Sequence, residues 1–158
     1  MCMKNFVLIA ITILTLLSSC KKDDEGVSAN SIVGTWISTE NKITGCTDEA
    51  SNGTFTFDCP TNCRIYLFAI DTITIDQNGE EQTIINQLYS QSITTNGTTV
   101  NESGTFSLNA GLITLCYEND EEEEICRNLN ISFNGDNLFI FNTNDQTGCE
   151  EQTTYTQQ

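Results

Sequence analysis

The chain has 158 residues, of which 22 are acidic and six are basic, so its net charge is −16. This charge repels phosphate backbones, and we expect no nucleic-acid partner. Histidine is absent, which excludes serine–histidine and cysteine–histidine catalysis and every imidazole-ligated metal site.

The first twenty residues have the features of an export signal. Met1–Asn5 carries one positive charge, and Phe6–Leu17 is apolar except for two threonines. An apolar run of about a dozen residues fits a signal peptide but is too short to span a bilayer, which takes about 20. Two small serines then precede Cys20. We therefore expect residues 1–19 to be removed. An ordinary secretory signal, with the cysteine incidental, is the alternative.

The stretch Leu17-Ser18-Ser19-Cys20 resembles the lipobox of bacterial lipoproteins. The resemblance implies that the Cys20 thiol carries lipid, palmitate included, and that residues 20–31 form a lipidated acidic tether to the membrane. Lys22, Asp23 and Asp24 resemble the signal that sends Bacteroidetes lipoproteins to the cell surface. The implied location is the outer face of the outer membrane. If these charges are only a solvated tether, the protein faces the periplasm instead.

After residue 31 the sequence predicts strands only, separated by turn signals such as Asn78-Gly79 and Asn96-Gly97. The predicted strands are Ile32–Ser38, Thr54–Phe57, Arg64–Ile70 with Ile73–Asp76, Glu81–Ser92, Gly104–Leu108, Leu112–Glu118, Glu124–Phe133 and Leu138–Asn142. This spacing predicts one all-β domain over residues 32–149, closed by its last predicted strand. The polar residues 150–158 are predicted to form a disordered tail.

Gly34-Thr35-Trp36, on the first strand, resembles the Gly-x-Trp motif that opens lipocalins and fatty-acid-binding proteins. The later Gly104–Leu108 segment, with its turn and return strand, resembles the lipocalin-like domains of Bacteroidetes lipoproteins. The resemblance implies an antiparallel up-and-down barrel of about eight strands, with Trp36 across its closed end. Lipocalins also place an arginine over this tryptophan, for which Arg127 is the candidate. A small β-sandwich is the alternative fold.

Six cysteines follow Cys20, and an even number in an exported chain indicates disulfide bonds. They are Cys46, Cys59, Cys63, Cys116, Cys126 and Cys149. Cys116 and Cys126 lie symmetrically about Glu121, so they face each other in a hairpin and are predicted to pair. The pairing of the other four stays open, although we expect one bridge to tie the C-terminal tail to the front of the chain. A redox pair at Cys59 and Cys63 is the alternative.

The functional residues are less clearly marked. Several aromatic residues either line a ligand cavity or fill a core: Tyr66, Phe68, Tyr89, Phe106, Phe133, Phe139 and Phe141. The acidic run Asp120–Glu124 is interpreted as a solvated hairpin tip rather than a calcium site. We therefore expect no catalytic site, cofactor or metal. The favoured hypothesis is a barrel that binds a small apolar ligand. The alternative is a filled barrel that interacts with an unknown protein partner, as an accessory to an outer-membrane complex.

Overall fold

The computed structural model describes residues 29–158, which form a short helix followed by nine strands. The helix α1 spans Ala29–Ile32, and a 3-10 turn spans Glu49–Ser51. The strands are β1 Gly34–Thr44, β2 Gly53–Thr56, β3 Cys63–Gln77, β4 Glu80–Thr95, β5 Thr98–Asn109, β6 Leu112–Glu118, β7 Glu124–Asn134, β8 Asn137–Asn144 and β9 Cys149–Gln157.

Eight of these strands close into an antiparallel barrel. From β3 to β9 each strand pairs with the next one in the chain, and β1 pairs with β3 on one edge and with β9 on the other. The extra strand, β2, lies beside the C-terminal half of β1. The predicted up-and-down barrel is therefore confirmed, and the sandwich is excluded because its sheets would not close.

The prediction of a disordered tail at residues 150–158 is wrong, because β9 occupies this segment. β9 closes the barrel between β8 and β1, whereas the sequence predicts that Leu138–Asn142 closes it. Its inward residues include Thr153 and Tyr155, both buried. The outward residues are polar, so the strand lacks the apolar signal that the prediction required. The first strand also begins later than predicted, because Ile32 ends α1.

The end of the barrel where β1 starts, here called the closed end, is filled by apolar side chains. Ile32 of α1 plugs it and has no exposed surface. Trp36 is 2% exposed, donates a hydrogen bond from Nε1 to the Ile32 carbonyl at 2.7 Å, and packs edge-to-face on Phe133. Phe68 packs edge-to-face on Phe106 with centroids 5.2 Å apart. Burial of this size is the main source of stability in a small domain.

β3 and β4 extend past the closed end as a two-stranded arm, residues 69–87. The pairing of β3 with β1 ends at Phe68, and the pairing of β4 with β5 begins at Leu88. The two strands remain paired to each other as far as Gln77 and Glu80. Asn78 and Gly79 both have positive φ and form the predicted hairpin turn. Residues 71–74 and 80–85 of the arm are exposed.

Three disulfides link the six cysteines of the described chain. Cys116 is bonded to Cys126, as the hairpin predicts. Cys46 is bonded to Cys149 across the β1–β9 seam, which is the expected link between the end and the front of the chain. Cys59 is bonded to Cys63 in the loop before β3. This bond lies at the start of β3 and not at the helix N-terminus that is typical of a redox dithiol.

We predict that the Cys46–Cys149 bridge contributes most to stability, because it closes the longest loop. Its cysteines are 103 residues apart, against 4 for Cys59–Cys63. Replacing both Cys46 and Cys149 by Ala should lower the free energy of unfolding by about 4–5 kcal/mol, and the same change at Cys59 and Cys63 by about 2 kcal/mol. Urea unfolding followed by tryptophan fluorescence measures both. Equal losses in the two double variants would contradict the prediction.

Candidate functional site

The end of the barrel opposite α1, here called the mouth, has a polar interior. Side chains alternate across each strand, so Arg64 shares the inner face of β3 with Tyr66 and Phe68. In the same way, Arg127 shares the inner face of β7 with Leu129. The strands that form an apolar core at the closed end therefore carry two arginines into the mouth. Both basic side chains are part of the barrel lining.

Arg127 links strands that are not neighbours in the sheet. Its guanidinium donates to both carboxylate oxygens of Glu102 on β5, with Nη1 3.1 Å from Oε2. Nη2 also lies 2.6 Å from Oε1 of Gln91 on β4. Tyr89 donates to the same Glu102 carboxylate at 2.8 Å. Since β6 lies between β5 and β7 and pairs with only part of β5, this ion pair bridges a gap in the wall.

Gly104 marks the point where β5 separates from β6. A Cβ atom at this position would lie 1.9 Å from the Cys116 carbonyl oxygen, so only glycine allows this close approach. Beyond it the wall contains a lateral cleft of about 620 Å³. The cleft is open to solvent and has Glu118 and Glu124 at its rim. It is not the enclosed apolar site that small-molecule binding requires.

A second cavity, of about 270 Å³, lies inside the mouth. Its lining combines apolar surface with hydrogen-bonding groups and comes from β3, β7, β8 and β9. The lining residues are Arg64, Tyr66, Arg127, Asn128, Leu129, Ile140, Asn142, Glu151, Thr153 and Tyr155. Below this cavity the interior is packed by the aromatic core. The mouth therefore contains a cavity that offers both apolar contacts and hydrogen-bonding groups.

Arg64 is positioned by its own backbone and by aromatic rings. Its N–H donates to the Ser38 hydroxyl at 2.8 Å, and Ser38 is 2% exposed. Its guanidinium carbon lies 5.7 Å from the centre of the Phe57 ring, which is a cation–π geometry. Its side chain lines the same cavity as Tyr155. These contacts hold the positive charge at the edge of the cavity.

Three tyrosines of the interior keep their protons well above neutral pH. Burial raises the pKa of Tyr66, and the Arg127 and Arg64 cations only partly oppose this. Burial, and then the Glu102 carboxylate, raise the pKa of Tyr89. Burial also raises the pKa of Tyr155. Burial alone would lower the pKa of Arg127, but Tyr66 and Glu102 outweigh it, so the pKa is raised and the charge is retained.

The acidic residues outside the cavity do not form a metal site in the described chain. A Glu124 carboxylate oxygen lies within 4.8 Å of the Cys116 and Cys126 sulfur atoms, but these sulfurs are bonded to each other and are not thiolates. The run Asp120–Glu124 is exposed, and its loop is held by the Asn119 amide oxygen, which accepts from two backbone N–H groups at 2.9 Å. This arrangement fits the predicted solvated tip.

Other residues singled out in the sequence have varied placements. Cys20, Lys22, Asp23 and Asp24 lie outside the described residues. Gly34 and Trp36 lie at the closed end, with Trp36 in the core. Arg127, the candidate to cover Trp36, instead contacts Glu102 and Gln91 in the mouth, so that assignment was wrong.

Among the aromatic residues, Tyr66, Phe68, Tyr89 and Phe106 are buried, and Phe133 packs against them. Phe139 and Phe141 lie on the outer face of β8, where Phe141 is 37% exposed. Of this group only Tyr66 lines the mouth cavity, so the aromatic residues mainly form the core.

Sequence reasoning missed Glu102, Gln91 and Tyr155 as parts of the mouth. Tyr155 falls in residues 150–158, which the sequence predicts to be a disordered tail. Gln91 and Glu102 are polar residues on inward positions, and such residues are normally placed outside. A usable signal was the period of two that joins Arg64 to Tyr66 and Arg127 to Leu129, because it puts a charge on an otherwise apolar face.

No family model matches this sequence, and no curated protein or solved structure shows significant similarity to it. Across residues 29–158, no helix has the length and hydrophobicity that a membrane crossing requires. The function must therefore be argued from the site itself.

We predict that the barrel loses stability as the pH rises above about 10, the ordinary tyrosine pKa. Below this pH, Tyr66, Tyr89 and Tyr155 are protonated in both states, and their contribution is complete. Above it they ionise in the unfolded chain but not in the folded one, which favours unfolding. Urea titrations at pH 8 and pH 11 measure the loss, and Tyr155→Phe should reduce it. Ionisation of these three tyrosines near pH 10, seen at 295 nm with native circular dichroism, would contradict this.

Proposed function

We propose that this protein is a lipid-anchored outer-membrane protein whose lipocalin-like barrel binds a small, mainly apolar ligand in its mouth. One observation supports this proposal: the interior is filled at the closed end and hollow at the mouth. A barrel with only a structural role needs no such cavity, because closely packed interiors are more stable.

The cavity sets the size and character of the ligand. Its volume of about 270 Å³ lies just below the range of about 300–1,000 Å³ for sites that enclose a drug-sized molecule. The ligand is therefore small, or it protrudes from the mouth. Leu129 and Ile140 offer apolar contacts, and Tyr66, Tyr155 and Thr153 offer hydrogen-bonding groups beside them. This mixture fits a molecule with one apolar and one polar end.

The proposed anchor would orient the barrel relative to the membrane. The described chain begins at Ala29, in the helix that plugs the closed end. From Cys20 to Ala29 the backbone can reach at most about 30 Å. A lipid on Cys20 would thus hold the closed end near the bilayer, with the mouth directed away from it. The ligand would enter from the aqueous side, and display on the cell surface would give it access to molecules of the medium.

We predict that Cys20→Ala abolishes incorporation of radioactive palmitate, because the thiol is the atom that would carry lipid. Cys2→Ala is the matched control, since this cysteine lies in the segment expected to be removed, and it should label like the wild type. Persistent labelling of Cys20→Ala would rule out this anchor.

The alternative function, an interaction protein, is favoured by the arm formed by residues 69–87. Ile73 and Ile84 face each other across its outer surface and are each 43% exposed. Leu67 and Leu88 are also exposed on the same face, beyond the polar pair of Asp71 and Asn86. Apolar surface of this kind often marks a protein contact. The outer edges of both strands also lack backbone partners among residues 29–158.

Native mass spectrometry after mild detergent extraction distinguishes the two functions. Ligand binding predicts a small adduct with one molecule per chain. Asn142→Trp, which places a ring in the mouth from an exposed inward position of β8, should remove this adduct. Thr143→Trp, on the outer face of the same strand, is the matched control and should retain it. A wild-type protein without an adduct but with a bound protein would favour the interaction function.

A further inference from the structure

The positions of the basic side chains carry information about the ligand. After residue 28 the sequence has three of them, Lys42, Arg64 and Arg127. Two of these three line the mouth cavity, although the chain has a net charge of −16. Placing a cation inside a barrel costs desolvation energy. This energetic cost indicates that the positive charges of Arg64 and Arg127 have a role in the cavity.

One of the two arginines is already neutralised. Arg127 donates to both oxygens of Glu102 and to Gln91, which leaves it little capacity for a further anion. A charge-assisted pair of this kind, in a partly buried setting, fixes its members in place. Arg127 thus acts as a positioning residue that ties β7 to β5 and keeps the mouth in shape.

Arg64 has no such partner. No carboxylate oxygen of the described residues comes within 4.0 Å of its guanidinium, since Arg127–Glu102 is the ion pair found there. Glu151, the carboxylate in the cavity lining, is partly exposed and remains beyond that distance from both arginines. Phe57 covers the guanidinium, and Tyr155 lines the same cavity. The result is a held cation that makes no direct ion pair with the described residues.

We propose that the ligand is an amphipathic anion, whose carboxylate, sulfonate or phosphate group pairs with Arg64 while its apolar part lies against Leu129 and Ile140. This rests on the proposed ligand binding and names the chemical class of the ligand. Tyr66 and Tyr155 line the same cavity as Arg64, and their hydroxyl groups can donate further hydrogen bonds to the same anionic group. A guanidinium flanked by neutral donors suits an oxyanion better than a neutral head.

The test uses two fluorescent dyes that differ in one group. 1-Anilinonaphthalene-8-sulfonate carries a sulfonate, and N-phenyl-1-naphthylamine is the same ring system without it. The wild-type protein should bind the sulfonate dye about 10- to 100-fold more tightly. Arg64→Gln should remove this preference and leave the affinity for the neutral dye unchanged. Arg64→Lys, which keeps the charge, should restore part of it. Lys42→Gln, on the exposed outer face of β1, is the charge-matched control and should change neither affinity.

Each other result has a defined meaning, once circular dichroism shows that the variants are folded. If neither dye binds to the wild-type mouth, with Asn142→Trp as the blocked reference, the proposed ligand binding itself fails. If both dyes bind equally and Arg64→Gln changes neither affinity, ligand binding stands but the pairing of an anion with Arg64 is wrong. If Arg64→Gln weakens both dyes equally, Arg64 only shapes the cavity, and the proposal is overturned.

Discussion

The pairing of β1 with β9 is the constraint on which the rest of the structure depends. It runs from Trp36 to Thr44 and turns an open sheet, which would have two free edges, into a barrel with a defined interior. Because the interior exists only when this seam is closed, the aromatic core and the mouth cavity both require it. The Cys46–Cys149 disulfide lies at the mouth end of the same seam and holds it covalently.

Closure of the barrel also explains why apolar side chains fill one end of the interior and polar side chains line the other. At the closed end, α1 and Trp36 exclude water, so large apolar residues fill the space. At the mouth, β5 leaves β6 at Gly104, and backbone hydrogen bonds no longer complete the wall. The Arg127–Glu102 pair bridges this gap with side chains. The cavity is thus bounded on one side by an ion pair, which makes its polar character a consequence of how the barrel is built.

Much of the fold could be predicted from the sequence. Asn78-Gly79 and Asn96-Gly97 mark tight turns through their positive φ angles, and alternation gives the strands between them. The Cys116–Cys126 bond follows from the symmetry of its hairpin. β9 could not be predicted in this way, because its outward residues are polar and its inward residues include Thr153. Its strand structure comes from pairing with β1 and β8, which are distant in sequence.

The site was harder to predict than the fold for a related reason. Glu102 and Gln91 are ordinary exposed residues by type, and they face inward only because β4 and β5 pair in this register. Arg127 was noticed, but its partners depend on the gap beyond Gly104, which is a tertiary feature. Short-range patterns record which face of a strand a residue occupies. They do not record which distant strand lies opposite.

Because β1 pairs with β9, the barrel can close only after the whole domain has been synthesised. A ribosome adds about 5–20 residues per second, and 103 positions separate Cys46 from Cys149. For on the order of 5–20 s, therefore, the edge of β1 that pairs with β9 has no backbone hydrogen-bond partner, because β9 has not yet been synthesised. A chain that lacks β9 cannot close the barrel. The nascent polypeptide therefore remains an open sheet, able to pass through a narrow channel, until its last strand has been synthesised.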